Sequence, residues 1–466
     1  MAPGRTLNAA NLERLGAPAL AELLMEISRG SAAAQRRLRL ALAGDAGADQ
    51  VARAVAKRLT SIAGARTWLN WQKIKPLVVE LEAQRRAILD LVAPSDPREA
   101  FELMWRLAAC AGPVLARSDD TGDRLLAAFG TAVQDLGPLA RRAGLPAEDL
   151  AGRVFRALAA DERGSWNELV PVLAPQLGAA GLGMVRSAVR DWMQDRGAEP
   201  LGADGMRFDR RRRTAFRVLE QVADALGDVD GFIELFDGSA RRTPIVAANI
   251  ARRLLAAKRP AEAWTAVERV EPERREQAPP EWDRARIDVL EALGRSGEAQ
   301  DFRWARFLAT LDAALLRAHL ATLPDFDDLE VEQHAMAHAS AFADVHRALA
   351  FLLAWPDLHR ASELVLGRTR ALNGDLYEVL SPAADALDAR YPLAATLLRR
   401  TMIDFALRAG RSSRYRHAAR HLRDCRAAAD RVPDFGGAPD HPSYERALRT
   451  AHGRKAGFWQ ELAESR

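Results

Sequence analysis

The stretch SDPREAFELMWRLAA, residues 95–109, carries both a helix start and a helix face. Asp96 precedes Pro97, a capping side chain before a residue suited to the first helical turn. Phe101, Met104, Trp105 and Ala108 then follow at i, i+3, i+4 and i+7, one apolar stripe of an α-helix. The same spacing recurs at Phe216, Leu219, Ala223 and Leu226, and again at Leu398, Met402, Phe405 and Ala409. No sustained period-two alternation rich in Val, Ile and Thr competes with it. Gly30, Gly227, Gly294 and Gly410 stand where helices should finish. Hydrophobic residues make up 48% of the chain but aromatic residues only 6%, so Leu, Ala and Val must build the core, as in packed helices. The fold class expected is all-α.

Breaks in the pattern suggest an organisation for the 466 residues. Pro94 to Pro97 closes a first group of helices. Residues 197–205 (GAEPLGADG) lack apolar periodicity and read as a linker. Residues 433–442 (PDFGGAPDHP) set off a final pair of short helices. The expected units are an N-terminal helical unit with a basic stretch (1–93), a middle helical unit (94–198) and a C-terminal hairpin array (206–466). In the last, a helix, a tight turn and a second helix recur around Ala257-Lys258-Arg259-Pro260, Gly294-Arg295-Ser296-Gly297, Trp355-Pro356-Asp357 and Gly410-Arg411-Ser412-Ser413. Small residues follow each turn: Ala263, Ala299, Ala361, Ala418 and Ala419. Such hairpins are similar to tetratricopeptide units, and irregular copies stacked as an α-solenoid usually present a binding surface.

The net charge of +4 is small against 67 basic and 63 acidic groups. Only Lys57, Lys73, Lys75, Lys258 and Lys455 are lysines, and the excess of arginine and alanine is the mark of GC-rich coding. Cys110 and Cys425 are too few for a disulfide framework, which fits a reducing compartment. Met1-Ala2-Pro3-Gly4-Arg5 leads into a polar, helix-like segment without an apolar signal core. The longest uncharged stretch, Leu169 to Val185, contains Pro171, Pro175 and Gln176 and reads as buried helix ends and a turn. A cytoplasmic protein without membrane contact is expected.

Candidate contact residues cluster where no acid occurs between Asp49 and Glu80. Arg53, Lys57, Arg58, Arg66, Lys73 and Lys75 lie there, interleaved with Trp68 and Trp71. Cations neutralise phosphates and exposed indoles stack on bases, so nucleic acid or an acidic partner is conceivable. Core-anchoring tryptophans beside a solvated basic face are the expectation. All nine histidines lie at or beyond His319. His334 and His338, and then His417, His421 and Cys425, step by four along helices, the way metal ligands are presented. Both ladders share stripes with small apolar residues, so packing is expected and no metal site is assigned. Asp119-Asp120-Thr121-Gly122-Asp123 matches the Asp-Asp-x-x-Asp pattern of helical isoprenoid synthases, but it precedes an apolar run and suits helix capping. Asp325-Phe326-Asp327-Asp328 also reads as a helix start. Phosphate-loop, dinucleotide, zinc-protease and nucleophile-elbow patterns are absent, so no catalytic residue and no cofactor are expected.

Residues 57–63 (KRLTSIA), 102–106 (ELMWR), 118–120 (SDD), 323–328 (LPDFDD), 417–422 (HAARHL) and 452–455 (HGRK) resemble an uncharacterised, mainly proteobacterial family of unknown function. The C-terminal half is also similar to helical regions that follow SWIM-type zinc fingers. The finger itself needs a Cys-x-Cys pair and a Cys-x-His, which this chain lacks. The resemblance implies helical repeats and no activity. The function expected is a non-enzymatic protein-interaction scaffold. A nucleic-acid-associated protein using residues 53–86 comes second, and a helical metalloprotein third.

Overall fold

The computed structural model describes residues 7–31, 34, 35, 38, 39, 42, 47–194, 204–324 and 326–464. These are helical, with no strand among them beyond one isolated parallel bridge between Leu69 and Ser118. The chain forms two compact units, residues 1–241 and 242–466.

The first unit comprises α1 (Ala9–Glu13), α2 (Ala17–Ser28), α3 (Ala48–Gly64), α4 (Trp71–Ala87), α5 (Pro97–Ala109), α6 (Ala111–Leu115), α7 (Arg124–Ala143), α8 (Ala147–Ala160), α9 (Leu169–Gln194), α10 (Asp204–Leu226) and α11 (Val229–Glu234). One hydrophobic core runs through it from Val51 to Val222. The division expected at 93/94 therefore falls inside a unit. α4 passes into a single π-turn, Ile88–Val92, whose Ile88 and Val92 are buried, and Asp96 caps α5 by accepting from Arg98 and Glu99 N–H. Pro94 and Pro97 there mark a helix boundary without ending a unit. Of the expected linker, residues 197–203 lie outside the described residues, and 204 and 205 begin α10.

α9 is the one described helix long and apolar enough to cross a membrane by length and composition. Gly178 breaks it with φ 55° and ψ −173°, a backbone conformation open essentially to glycine alone. Leu169, Leu173, Leu177, Leu182 and Val185 are buried in the core, as expected of helix ends and a turn. A Cβ on Gly137 would come within 2.8 Å of the Val172 carbonyl oxygen, so α7 and α9 pack backbone to backbone at that point.

The second unit comprises α12 (Pro244–Ala256), α13 (Pro260–Glu268), α14 (Pro272–Glu276), α15 (Pro280–Ala292), α16 (Ser296–Thr310), α17 (Ala313–Leu320), α18 (Asp327–Ala341), α19 (Val345–Ala354), α20 (Leu358–Arg368), α21 (Tyr377–Leu387), α22 (Pro392–Arg408), α23 (Tyr415–Ala428), α24 (His441–His452) and α25 (Ala456–Glu464). Its expected hairpins form, and three of their four turns share one cause. Lys258, Gly294 and Gly410 adopt left-handed φ of 59°, 73° and 64°. The next residue then bonds back across the helix end: Arg259 N–H to Leu254, Arg295 to Leu290 and Arg411 to Ala406, at 2.8, 2.9 and 3.0 Å. Asp357 N–H reaches Leu352 the same way at 2.9 Å without a left-handed residue. Ala263, Ala299, Ala361 and Ala419 are wholly buried after these turns, which lets the paired helices approach. Several helices pack on both the next helix and the next but one, as α19 does on α20 and α21, and α20 on α21 and α22.

Candidate functional site

The turn between α3 and α4 is held from the side. Leu69 N–H donates to Arg117 O at 2.8 Å, and Asp119 N–H donates to Leu69 O at 3.2 Å. The Arg117 guanidinium donates to Thr67 O at 2.8 Å and Ile62 O at 3.2 Å. Leu69 is 8% exposed and takes the core position, while Asn70 caps α4 by accepting from Lys73 N–H. On either side of Leu69 the indoles face water, Trp68 at 57% exposure and Trp71 at 75%. This corrects the expectation that both anchor the core. α4 begins only at Trp71, and Trp68 lies in the bridged segment before it.

The cations of the stretch divide into two groups. Arg58 donates to both carboxylate oxygens of Glu80, one at 2.8 Å, and so belongs to the α3–α4 packing. Arg85 pairs with Asp135 at 2.5 Å and Glu82 at 3.0 Å, and Arg86 with Glu82 at 2.8 Å. Arg53, Lys57, Arg66, Lys73 and Lys75 are exposed and form no ion pair among the described residues. Arg53 makes only a 3.3 Å bond to the Asp49 carbonyl. Asp119 is exposed, and its backbone is bonded to Leu69, between the two tryptophans in sequence. Asp120 accepts from Arg124 and Leu125 N–H at 3.0 and 2.7 Å, which is the capping expected of the acidic run. Of the second acidic run, Asp325 lies outside the described residues, and Asp327 and Asp328 open α18.

The histidine ladders stay apart. His334 is exposed, its ring 5.6 Å from that of Trp304. His338 Nε2 lies 2.8 Å from Leu308 O, its ring 5.7 Å from that of Phe342. On α23, His417 is exposed, His421 is buried, and the buried Cys425 thiol points at Thr396 O, 3.8 Å away. Among the described residues no three His, Cys, Asp or Glu side chains gather closely enough to hold a metal ion.

α21, α22 and α23 line an open cavity of about 490 Å³ that local sequence patterns did not reveal. α21 lends Tyr377, Glu378, Ser381 and Asp385, α22 lends Met402 and Ala406, and α23 lends His417, Ala418, Arg420 and His421. Beside it Arg399, nearly buried, bonds Asp388 and Asp385 and lies 3.8 Å from Asp424. Burial opposes ionisation of Asp388, but Arg399 and Arg431 outweigh it and hold the carboxyl below its usual range. Burial raises Asp424, and it lowers His421 to about 4, with Arg420 and Arg399 adding to the effect. His421 is thus neutral at physiological pH. Burial also pushes the Cys425 thiol up to about 12 and the Cys110 thiol to about 11, so neither is a ready nucleophile. Only the His417–His421 step marked this region in the sequence. A further signal was available in Arg399 and Arg400, a charged pair inside the apolar run from Ala394 to Ile403.

No curated protein matches the chain. A family model described as a family of unknown function, DUF6880, matches residues 2–461, and the chain belongs to that family.

Proposed function

We propose that this DUF6880 protein is a non-catalytic interaction scaffold of the bacterial cytoplasm, and that the tip of the α3–α4 hairpin contacts an acidic protein partner. The observation that carries this reading is the outward pair Trp68 and Trp71, set among cations that pair with no acid among the described residues, on backbone pinned at Leu69. Tryptophan offers a large contact area at little entropic cost and is enriched among residues that dominate binding energy. The cations call for carboxylates, while Asp119, bonded to Leu69, repels a phosphate backbone and suits a protein surface of mixed charge. The tetratricopeptide-like turns of the second unit, and its packing of helices on next-but-one neighbours, support a stacked array of the kind that presents binding surfaces. The likeness of that half to helical regions after SWIM-type fingers accords with the same role. Two buried, unpaired thiols fit a reducing compartment.

Single-stranded nucleic acid is the second reading, favoured by the acid-free run from Gln50 to Val79. Bases would stack on the indoles, and phosphates would meet Arg66, Lys73 and Lys75. Fluorescence anisotropy with an acidic peptide and with a single-stranded oligonucleotide separates the two. The scaffold reading expects peptide binding that Trp68→Ala/Trp71→Ala abolishes, with weak, unspecific retention of the oligonucleotide. Tight oligonucleotide binding near physiological salt, lost on Lys73→Glu/Lys75→Glu in a folded protein, would select the second reading instead.

A further inference from the structure

The cavity in the second unit carries charge of opposite sign on opposite walls. α21 and α23 flank α22. From α21 come Glu378 and Asp385, two turns apart on one face with Ser381 between them. From α23 come Arg420 and His417. Buried Met402, Ala406 and Ala418 make an apolar floor. Arg414 at the rim is already engaged, with Asp375 at 2.6 Å and its guanidinium 4.7 Å over the Tyr377 ring. Glu378 and Arg420 form no ion pair among the described residues, whereas Asp385 shares Arg399. His421 is 5% exposed and lines the cavity, and its buried Nδ1 has no hydrogen-bond partner but lies 4.0 Å from Asp424 Oδ2.

We propose that this cavity binds a dipeptide-sized zwitterion with apolar side chains. Its ammonium group meets the Glu378 and Asp385 wall, its carboxylate meets Arg420, and its side chain covers Met402, Ala406 and Ala418. Its peptide group lies against His421. The volume falls in the range of about 300–1,000 Å³ that small-ligand sites occupy, and an apolar lining with a few convergent polar groups is their usual make-up.

Isothermal titration of the full chain with Leu-Leu, and with its N-acetylated and C-amidated forms, tests this. Leu-Leu should bind saturably, and blocking either terminus should weaken binding by about tenfold or more. Glu378→Gln should remove most of the penalty for acetylation, and Arg420→Gln most of the penalty for amidation. Both residues are exposed, so these variants keep the fold, which a melting curve checks. Ala406→Phe should fill the floor and abolish binding. Absence of saturable binding up to about 10 mM would overturn the proposal. So would equal affinity for the free and doubly blocked peptides, or terminal preferences that neither charge variant alters.

Discussion

The backbone of Leu69 is joined to that of Arg117, its N–H 2.8 Å from the Arg117 carbonyl oxygen. This single bond, with its return from Asp119 to Leu69, orients the hairpin tip. Leu69 is drawn into the core, and the residues on either side of it turn outward. The exposure of Trp68 and Trp71 is therefore imposed by the bridge, and both rings are presented on backbone that has already been ordered.

The consequence for stability can be measured. Trp68→Ala and Trp71→Ala should each change unfolding free energy by no more than about 0.5 kcal/mol, as surface substitutions do. Trp282, 1% exposed in the second unit, is the control, and Trp282→Ala should cost about 3–5 kcal/mol. Urea denaturation of the three variants checks both. A loss above about 2 kcal/mol for either tip variant would mean that the indoles are core residues after all.

Stability should fall as the solution is acidified from neutrality. His421 titrates at about 4 when folded, against 6.5 ordinarily, because burial first and neighbouring arginines second disfavour its cation. Between those values the unfolded chain binds a proton that the folded chain refuses. Stability is then full above 6.5 and declines towards 4, by at most about 1.4 kcal/mol per pH unit from this residue. Buried His319 and His441 are lowered too and act in the same sense. His421→Gln should flatten, without abolishing, the dependence of the urea midpoint on pH. An unchanged slope would show that His421 is not the buried neutral base described.

Lys258 pays for the tight turn between α12 and α13 with a φ of 59°, a region that disfavours side chains. Lys258→Gly should raise stability by up to about 1 kcal/mol, the relief of strain being partly offset by the freedom glycine adds to the unfolded chain. The equivalent Gly294, at φ 73° with open space around a would-be Cβ, should lose about 1 kcal/mol on Gly294→Ala. Thermal melts that move the two variants in the same direction would contradict this account of the turns.

Gly374 is required for close approach. A Cβ there would collide with the Thr401 carbonyl oxygen and lie 2.6 Å from Phe405 Cβ. Gly374→Ala should destabilise the second unit by about 1–3 kcal/mol, as overpacking does, and should loosen the cavity whose edge it forms. Urea unfolding of that variant is the check, and a neutral effect would mean that the loop is free to withdraw.

Much of the fold was legible because it is written locally. Asp96 caps α5, Phe101 and Met104 face the core, and Gly294 and Gly410 close helices, each within a few residues of the signal that marks it. Trp68 and Trp71 defeated the same approach, because their direction is set by Arg117, distant in sequence. The break at Pro94–Pro97 was seen, but only the shared core from Val51 to Val222 shows that it lies within a unit. The cavity was the least legible feature. Its groups come from three helices, Glu378 and Asp385, Met402 and Ala406, and His417 and His421, and no local spacing joins them. The ladder of His417, His421 and Cys425 drew attention to the right helix for a different chemistry.

Affinity capture from the native host, after nuclease treatment, with wild type and Trp68→Glu/Trp71→Glu compared by quantitative mass spectrometry, tests the interaction surface most directly. The expected result is at least one acidic protein retained stoichiometrically by wild type and lost from the variant, with the two proteins melting at the same temperature. An identical set of retained proteins for both, or retained material that nuclease removes entirely, would contradict the assignment of the hairpin tip as a protein-binding surface.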